Sequence, residues 1–334
     1  MTKASFDDTS IMPSAAAVAT AEAAIKVYND EMPAARREVY FKYATQMAPF
    51  ILAVAFLLWL IVFVMTSASS NFRGVLLAAV AFGGFHFGSM LWKHVNEPVT
   101  GLRQYTRDKL IPQLFGFVEN VSYSNGREPR FMSRLPARTV VQFTRVVYDD
   151  AVRGRYSGTD FELCEMHFFQ KSGKSENETF KGVVFQFPLT ALFPGEMVIT
   201  RRRTKWDKFW WGAPQDGHLV EIVTGDTWTD GSYEVKTDNR KAGVPLARAN
   251  LPKLLRWLET TWDSGAPKIV LKAQDGYLLL PSKKNFFELP PNGVVLDYRA
   301  HAEPMVRELM ALIATANLVR VAFEPAPPVE KPEA

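Results

Sequence analysis

The sequence predicts an α+β protein: an N-terminal transmembrane helical hairpin, then a cytoplasmic domain with a mainly antiparallel sheet and a few helices. Three observations predict it. Two long apolar stretches without Asp, Glu, Lys or Arg lie near the N-terminus, apolar residues then alternate through several short segments, and two leucine-rich helical stripes come late. The mean hydropathy of −0.07 averages over these unlike parts. A 47% hydrophobic share excludes a disordered chain, and 22% charged residues exclude a many-helix transporter. The single cysteine, Cys164, excludes an internal disulfide and a multi-thiolate metal site. A net charge of +4 is too mild to argue for nucleic acid, and none is expected as a partner.

Residues 1–46 form a cytoplasmic N-terminal segment. Its first 13 residues are polar and read as disordered, and from Ser14 to Gln46 alanine, glutamate and lysine predict a helix with a break near Pro33. Met47–Met65 is nineteen residues without an ionisable side chain, and Gly74–Trp92 is nineteen with only His86. At 1.5 Å per residue, roughly 20 apolar residues cross a hydrocarbon core of about 30 Å, and lipid forces them to be helical. The linking TSASSNFR is too short for a domain. Buried core helices and a cleaved signal peptide are the competing readings; the apolar lengths speak against the first and the forty-odd preceding residues against the second.

Flanking charge sets the orientation. Arg36, Arg37 and Lys42 precede the first span, Lys93, Arg103, Arg107 and Lys109 follow the second, and only Arg73 lies between, so both termini are expected in the cytoplasm. Trp92 suits the headgroup boundary, whereas Trp59, deep in the first span, reads as a packing residue. Gly84 and Gly88 form a GxxxG flanked by Gly83 and Ser89, a face expected to pack on the first span or on a second copy. His86, Met90 and His94 share a helical face, but one such set on one helix makes no cofactor box.

Residues 93–112 read as a helical stalk, with Val95, Val99, Leu102 and Tyr105 or Thr106 at helical spacing up to Pro112. The folded unit is 113–323, and the proline-rich 324–334 is an extended, disordered tail. Within the unit, Val183, Phe185 and Phe187 alternate, and Phe161, Leu163, Glu165, His167 and Phe169 share a face. Asp275-Gly276 between two apolar runs predicts a two-residue type I′ hairpin. Asn250 and Pro252 open a helix carrying Leu251, Leu254, Leu255, Leu258 and Trp262, stopped by Gly265; a second runs near Glu303–Asn317. No internal repeat and no doubly wound alternation is present.

The common phosphate, nucleotide, serine-hydrolase and zinc motifs are absent, and the residues imply no cofactor and no metal. The densest polar cluster is Tyr148-Asp149-Asp150 followed by 156–167. A strand over 160–169 puts Asp160 and Glu162 on one side and Glu165 and His167 on the other; a carboxylate beside an imidazole could act as acid and base or as half a metal site, or the strand could simply have a solvated face beside a turn at Ser157-Gly158. Cys164, with no basic neighbour in sequence, reads as a packed residue. The most unusual stretch is Arg201, Arg202, Arg203, Lys205, Trp206, Lys208, Phe209, Trp210 and Trp211. Anionic headgroups attract such cations while tryptophan settles at the interface; single-stranded nucleic acid and a hairpin tip with cation-π pairs are the competing readings.

Taken in order, the segments resemble a bacterial membrane-protein family, the one catalogued as domain of unknown function 3137. The resemblance rests on Tyr156, Gly158 and Asp160 as a Y-x-G-x-D start, on Phe180, Lys181, Gly182 and Phe185 as F-K-G-x-x-F, and on Tyr233, Val235, Thr237 and Asp238 leading into a leucine-rich helix. It covers most of 95–320. Tyr233, where phenylalanine is common, and the basic-aromatic insertion depart from the pattern. The resemblance implies location in the inner membrane, no established activity and no catalytic residues. The expected function is a membrane-anchored binding or scaffold domain, its partners the bilayer and a protein or a second copy joined through the transmembrane helices. A tethered hydrolase using Asp160, Glu162, Glu165 and His167 and an anionic-lipid sensor are the alternatives.

Overall fold

The computed structural model describes residues 13–67, 70–173, 175–203, 216–262, 264–290 and 294–324. The chain divides into two compact units, one of Glu22–Gln113 with Leu289–Tyr298, the other of Met1–Ala21, Leu114–Glu288 and Arg299–Ala334.

The first unit is built on two long helices, α1 (Ala15–Ser67) and α2 (Ser70–Leu114). The expected break at Pro33 is absent, and Pro49 also lies inside α1. A proline removes one ladder bond and leaves the rest, and alanine-, glutamate- and lysine-rich turns sustain the helix on both sides. The expected eight-residue loop shrinks as well, because helix runs through Ser67 and resumes at Ser70. Among the described residues one helix, α1, is long and apolar enough to cross a membrane; its apolar window has a mean hydropathy of 2.8 and is 6% buried. The second expected span falls inside α2, and part of it lies outside the described side chains. Phe50 of α1 meets Trp92 of α2 with ring centroids 5.7 Å apart. Further along, a Cβ at Gly84 would lie 2.7 Å from Leu57 Cδ2, whereas one at Gly88 would meet nothing within 4 Å. Of the GxxxG pair, Gly84 alone makes a close approach.

Trp59 is not a packing residue: it is 57% exposed and stacks on Phe56 and Phe63 of its own helix. The stalk stripe is present as Val95, Leu102, Thr106 and Leu110, all buried, while Tyr105 is exposed. In this unit Asn29 clasps the backbone of Leu296, donating to its carbonyl at 2.8 Å and accepting its N–H at 2.9 Å.

The second unit centres on an antiparallel sheet of β1 (Glu119–Asn125), β2 (Arg145–Tyr156), β3 (Thr159–Ser172), β4 (Ser175–Arg201), β5 (Val220–Glu221), β6 (Tyr233–Thr237) and β7 (Lys268–Pro281). The order is β1-β2-β3-β4-β6-β5, with β7 also paired to β4. A short α3 (Ala137–Val140) precedes β2; α4 (Thr227–Ser232) and α5 (Arg240–Arg248) flank β6; α6 (Leu251–Thr261) and α7 (Glu303–Ala322) are the two expected helices. Leu251, Leu254, Leu255 and Leu258 of α6 are fully buried, as their spacing requires. One core joins Phe131, Val140, Met166, Phe168, Val198 and Val270 across a face of the sheet.

The turn at Ser157-Gly158 is present, with φ of 48° and 77° between the paired Tyr156 and Thr159. The hairpin at Asp275-Gly276 is not. β7 passes straight through it, pairing Gly276 with Phe187 and Asp275 with Pro188. Glycine is needed at 276 for close approach, since a Cβ there would lie 2.2 Å from the Phe187 ring. Gly182, in the F-K-G motif, has φ 155° and lies against the backbone of Leu280. These two motifs serve the backbone rather than any chemistry.

Candidate functional site

β3 carries the four acid-base candidates but does not gather them. Asp160 accepts from Arg155 Nε at 2.7 Å and Nη2 at 3.0 Å, and that guanidinium holds its carboxyl below the usual range. Glu162 accepts the Arg130 N–H at 3.0 Å. Glu165 is buried and accepts the Phe286 N–H at 2.6 Å, and His167 Nδ1 lies 3.0 Å from Glu178 Oε2. Each candidate has its own partner, and the four form no common cleft. The strand also lacks a solvated face at its centre: Leu163, Cys164, Met166 and Phe168 are all fully buried. Burial pushes the Cys164 thiol well above its ordinary range, so it is a packed residue and a poor nucleophile.

A different carboxylate cluster does form. The β2–β3 register slips between Tyr148 and Ala151, placing Asp149 and Asp150 together opposite Glu165. Oxygens of the three carboxylates lie within 4.8 Å of one another. Asn125 Nδ2 donates to Asp149 at 2.9 Å and to Asp150 at 2.8 Å, and the Tyr123 hydroxyl also donates to Asp150. Oxygen-only sets suit hard cations, yet here four hydrogen bonds from side chains and backbone already hold the acids in place. The sequence points to Tyr148-Asp149-Asp150, but the bulge that adds Glu165 leaves no signal in it.

The basic-aromatic stretch is described only at its start; Lys205, Trp206, Lys208, Trp210 and Trp211 lie outside the described residues. Arg201, 62% exposed at its side chain, stands 3.4 Å from Glu259. Arg202 is drawn onto the body, bonding Glu221 at 2.5 Å, the Asp230 carbonyl at 3.1 Å and the Tyr233 carbonyl at 3.2 Å. These arginines, with Arg203, border a cavity of about 310 Å³ whose other polar walls are Gln142, Thr179, Thr200, Glu178 and Lys268. β4 supplies Glu178 and Thr179 near its start and Arg201 at its end, Arg202 and Arg203 follow it, β7 opens with Lys268, and Gln142 follows α3.

Lys268 donates to the Val140 carbonyl at 3.4 Å, and its ammonium lies 5.8 Å from the centre of the Phe180 ring. Burial, with Arg203 adding repulsion, pushes this ammonium down to about 8. Sequence reasoning missed Lys268, because sixty-odd residues separate it from the arginines and only β4–β7 pairing joins them.

No protein-family model matches the chain, and no curated protein matches its sequence. A distant likeness exists to the crystal structure of the mycobacterial trehalose monomycolate transport factor A, TtfA. It has 12% identity and a TM-score of 0.32, covering 63% of this chain and 91% of that one. Similarity at this level carries no argument about fold or activity.

Proposed function

We propose that the protein is a multi-pass inner-membrane protein with both termini in the cytoplasm, presenting its sheet unit as a binding or scaffold domain at the membrane surface. One observation carries the reading: the most apolar stretch of α1 is only 6% buried. Leu52, Phe56, Leu58 and Val62 of α1 are 58–70% exposed, whereas the core helix of a water-soluble protein hides such groups. Phe82, Phe85 and Met90 of α2 are equally open, which supports a second span beside the first. In a bilayer that surface faces lipid, and the Gly84–Leu57 approach suits a transmembrane hairpin. The seven-to-one excess of flanking cations supports the orientation. A binding role fits a body whose acid-base groups are tied up in pairs.

An alkaline carbonate wash of membranes from cells expressing the full chain tests the anchoring. Retention in the pellet is expected, and release into the supernatant refutes it. Affinity capture from solubilised membranes then tests the binding role. A stoichiometric protein partner is expected, and a chain recovered alone counts against a scaffold.

A further inference from the structure

β1 stands at the end of the strand order and pairs with β2 alone, so its outer backbone is open to one more strand. A bulge between Glu119 and Ser122 breaks the register at its start, leaving Ser122–Asn125 as the regularly paired segment. Beside that segment lies a pocket of about 210 Å³, lined by Arg127, Glu128 and Arg130 of the following loop and by Ser122, Arg153 and Glu162 of the first three strands. Arg153 stands opposite Glu162 across β2 and β3, as Arg155 stands opposite Asp160 two residues along. Arg155 and Asp160 are joined by a fork of 2.7 and 3.0 Å, whereas Glu162 accepts the Arg130 N–H at 3.0 Å and does not bridge Arg153. Among the described residues no carboxylate lies within bridging distance of the Arg127, Arg130 or Arg153 side chains. Both acids of the pocket count in its balance: three guanidiniums against Glu128 and Glu162 leave one positive charge. Ser122 is the β1 residue opposite the half-buried Arg153, so it alone separates that arginine from the open edge in its row. Strands lie about 4.8 Å apart, and a side chain as short as serine lets a guanidinium meet a long acidic side chain on an added strand.

We propose that β1 receives an extended acidic segment of a partner protein, which adds as a further strand along Ser122–Asn125 and places one carboxylate, opposite Ser122, on Arg153. This deepens the binding role proposed above and rests on it. Main-chain hydrogen bonds to the edge supply affinity, and the arginine pocket supplies selectivity, because the planar guanidinium fork matches a carboxylate. Glu128 and Glu162 on the same wall set the charge of the occupant. A single carboxylate brings the pocket to neutrality, while a phosphate dianion overshoots it and is repelled by both glutamates.

The full-length chain in phosphatidylcholine nanodiscs, or in buffer if carbonate releases it, is titrated into a fluorescent, end-capped threonine-rich peptide with one central glutamate, and binding is read by anisotropy. Replacing that glutamate by glutamine should weaken binding about tenfold, and Arg153→Gln should weaken it equally, while Arg248→Gln at the exposed end of α5 leaves it unchanged. The two losses should not add, so Arg153→Gln costs nothing further with the glutamine peptide. Backbone methylation separates strand addition from charge alone. Alternate N–H groups of an added strand point at β1, so methylating one alternate set should abolish binding and methylating the other should not. Should Arg153→Gln fail to fold, the exposed Arg127→Gln with Arg130→Gln turns the charge of the pocket negative and carries the same test. A glutamate peptide that does not bind, equal affinity for the glutamine peptide, an arginine loss matched by Arg248→Gln, or equal response to the two methylated sets overturns the proposal. A dimer mass together with an unbound peptide overturns it in favour of a second copy on β1. A captured partner that excess glutamate peptide fails to displace leaves the binding role standing and removes β1 from it; peptide binding with no partner captured does the reverse.

Discussion

Phenylalanine is treated in opposite ways by the two units. Phe82 and Phe85 of α2 are 80% and 79% exposed, whereas Phe131 and Phe168 of the sheet unit are fully buried. Glycine follows the same division. Gly84 meets only the movable tip of Leu57, while Gly182 is pressed on the backbone of Leu280, 2.1 Å from where a Cβ would sit. The helical unit satisfies its backbone internally and leaves its apolar side chains outward, the arrangement lipid requires; the sheet unit turns the same residue types inward, as water requires. Under the proposed membrane anchoring, each unit suits a different solvent.

The largest expected effect attacks that difference directly. Leu58→Lys with Val62→Lys puts two charges near the middle of the apolar stretch of α1, each costing about 3 kcal/mol at the centre of a membrane helix. Most of the protein should leave the carbonate-resistant pellet; unchanged retention would show that α1 is not immersed in lipid. Next comes Gly182→Ala, where strained φ and a backbone clash combine to cost about 3 kcal/mol or more. Denaturant unfolding of the detergent-solubilised chain should show the loss, and a change below about 1 kcal/mol would mean that the β4–β7 pairing is looser than drawn.

Lys268→Met has an intermediate effect that depends on pH. The ammonium falls from 10.5 to about 8 on folding, so between these values the unfolded chain holds the extra proton. In phosphate-free buffer, wild-type stability therefore gains on the variant as pH rises from about 8 to 10.5, and the full charge-burial cost persists below pH 8. A stability difference flat across that window would remove Lys268 from the desolvated cavity. The smallest effects belong to the helical unit: Gly84→Ala should cost under about 1 kcal/mol because a leucine tip can move, and Gly88→Ala should be indistinguishable from wild type. If Gly88→Ala instead disrupts the chain, its face packs against a second copy, and a shift in oligomeric mass would confirm that.

The same contrast explains how much was legible in the sequence. The apolar stretch of α1 and the stripe of α6 are readable because local periodicity and length decide them. The turn at Ser157-Gly158 is local too. Asp275-Gly276 misleads, since glycine there answers to the Phe187 ring, a neighbour nearly ninety residues away in sequence. Glu165 misleads likewise: alternation assigns a charged residue to a surface, yet both faces of β3 are covered and the Phe286 N–H receives its carboxylate. Of the candidate cavity, the arginines were visible as a run, while Lys268 and Thr179 were invisible as partners.

By itself, the sequence determined the segregation of apolar residues, the long helix they form and the α+β class, because propensity and periodicity act over a few turns or strand residues. Tertiary structure alone decided that the acid-base candidates stay apart, that a bulge gathers Asp149, Asp150 and Glu165, and that Lys268 joins Arg201–Arg203 around one cavity. Each of these depends on strand register, where a slip of one residue reverses which side chains face each other, and register is fixed by the packing of the whole sheet.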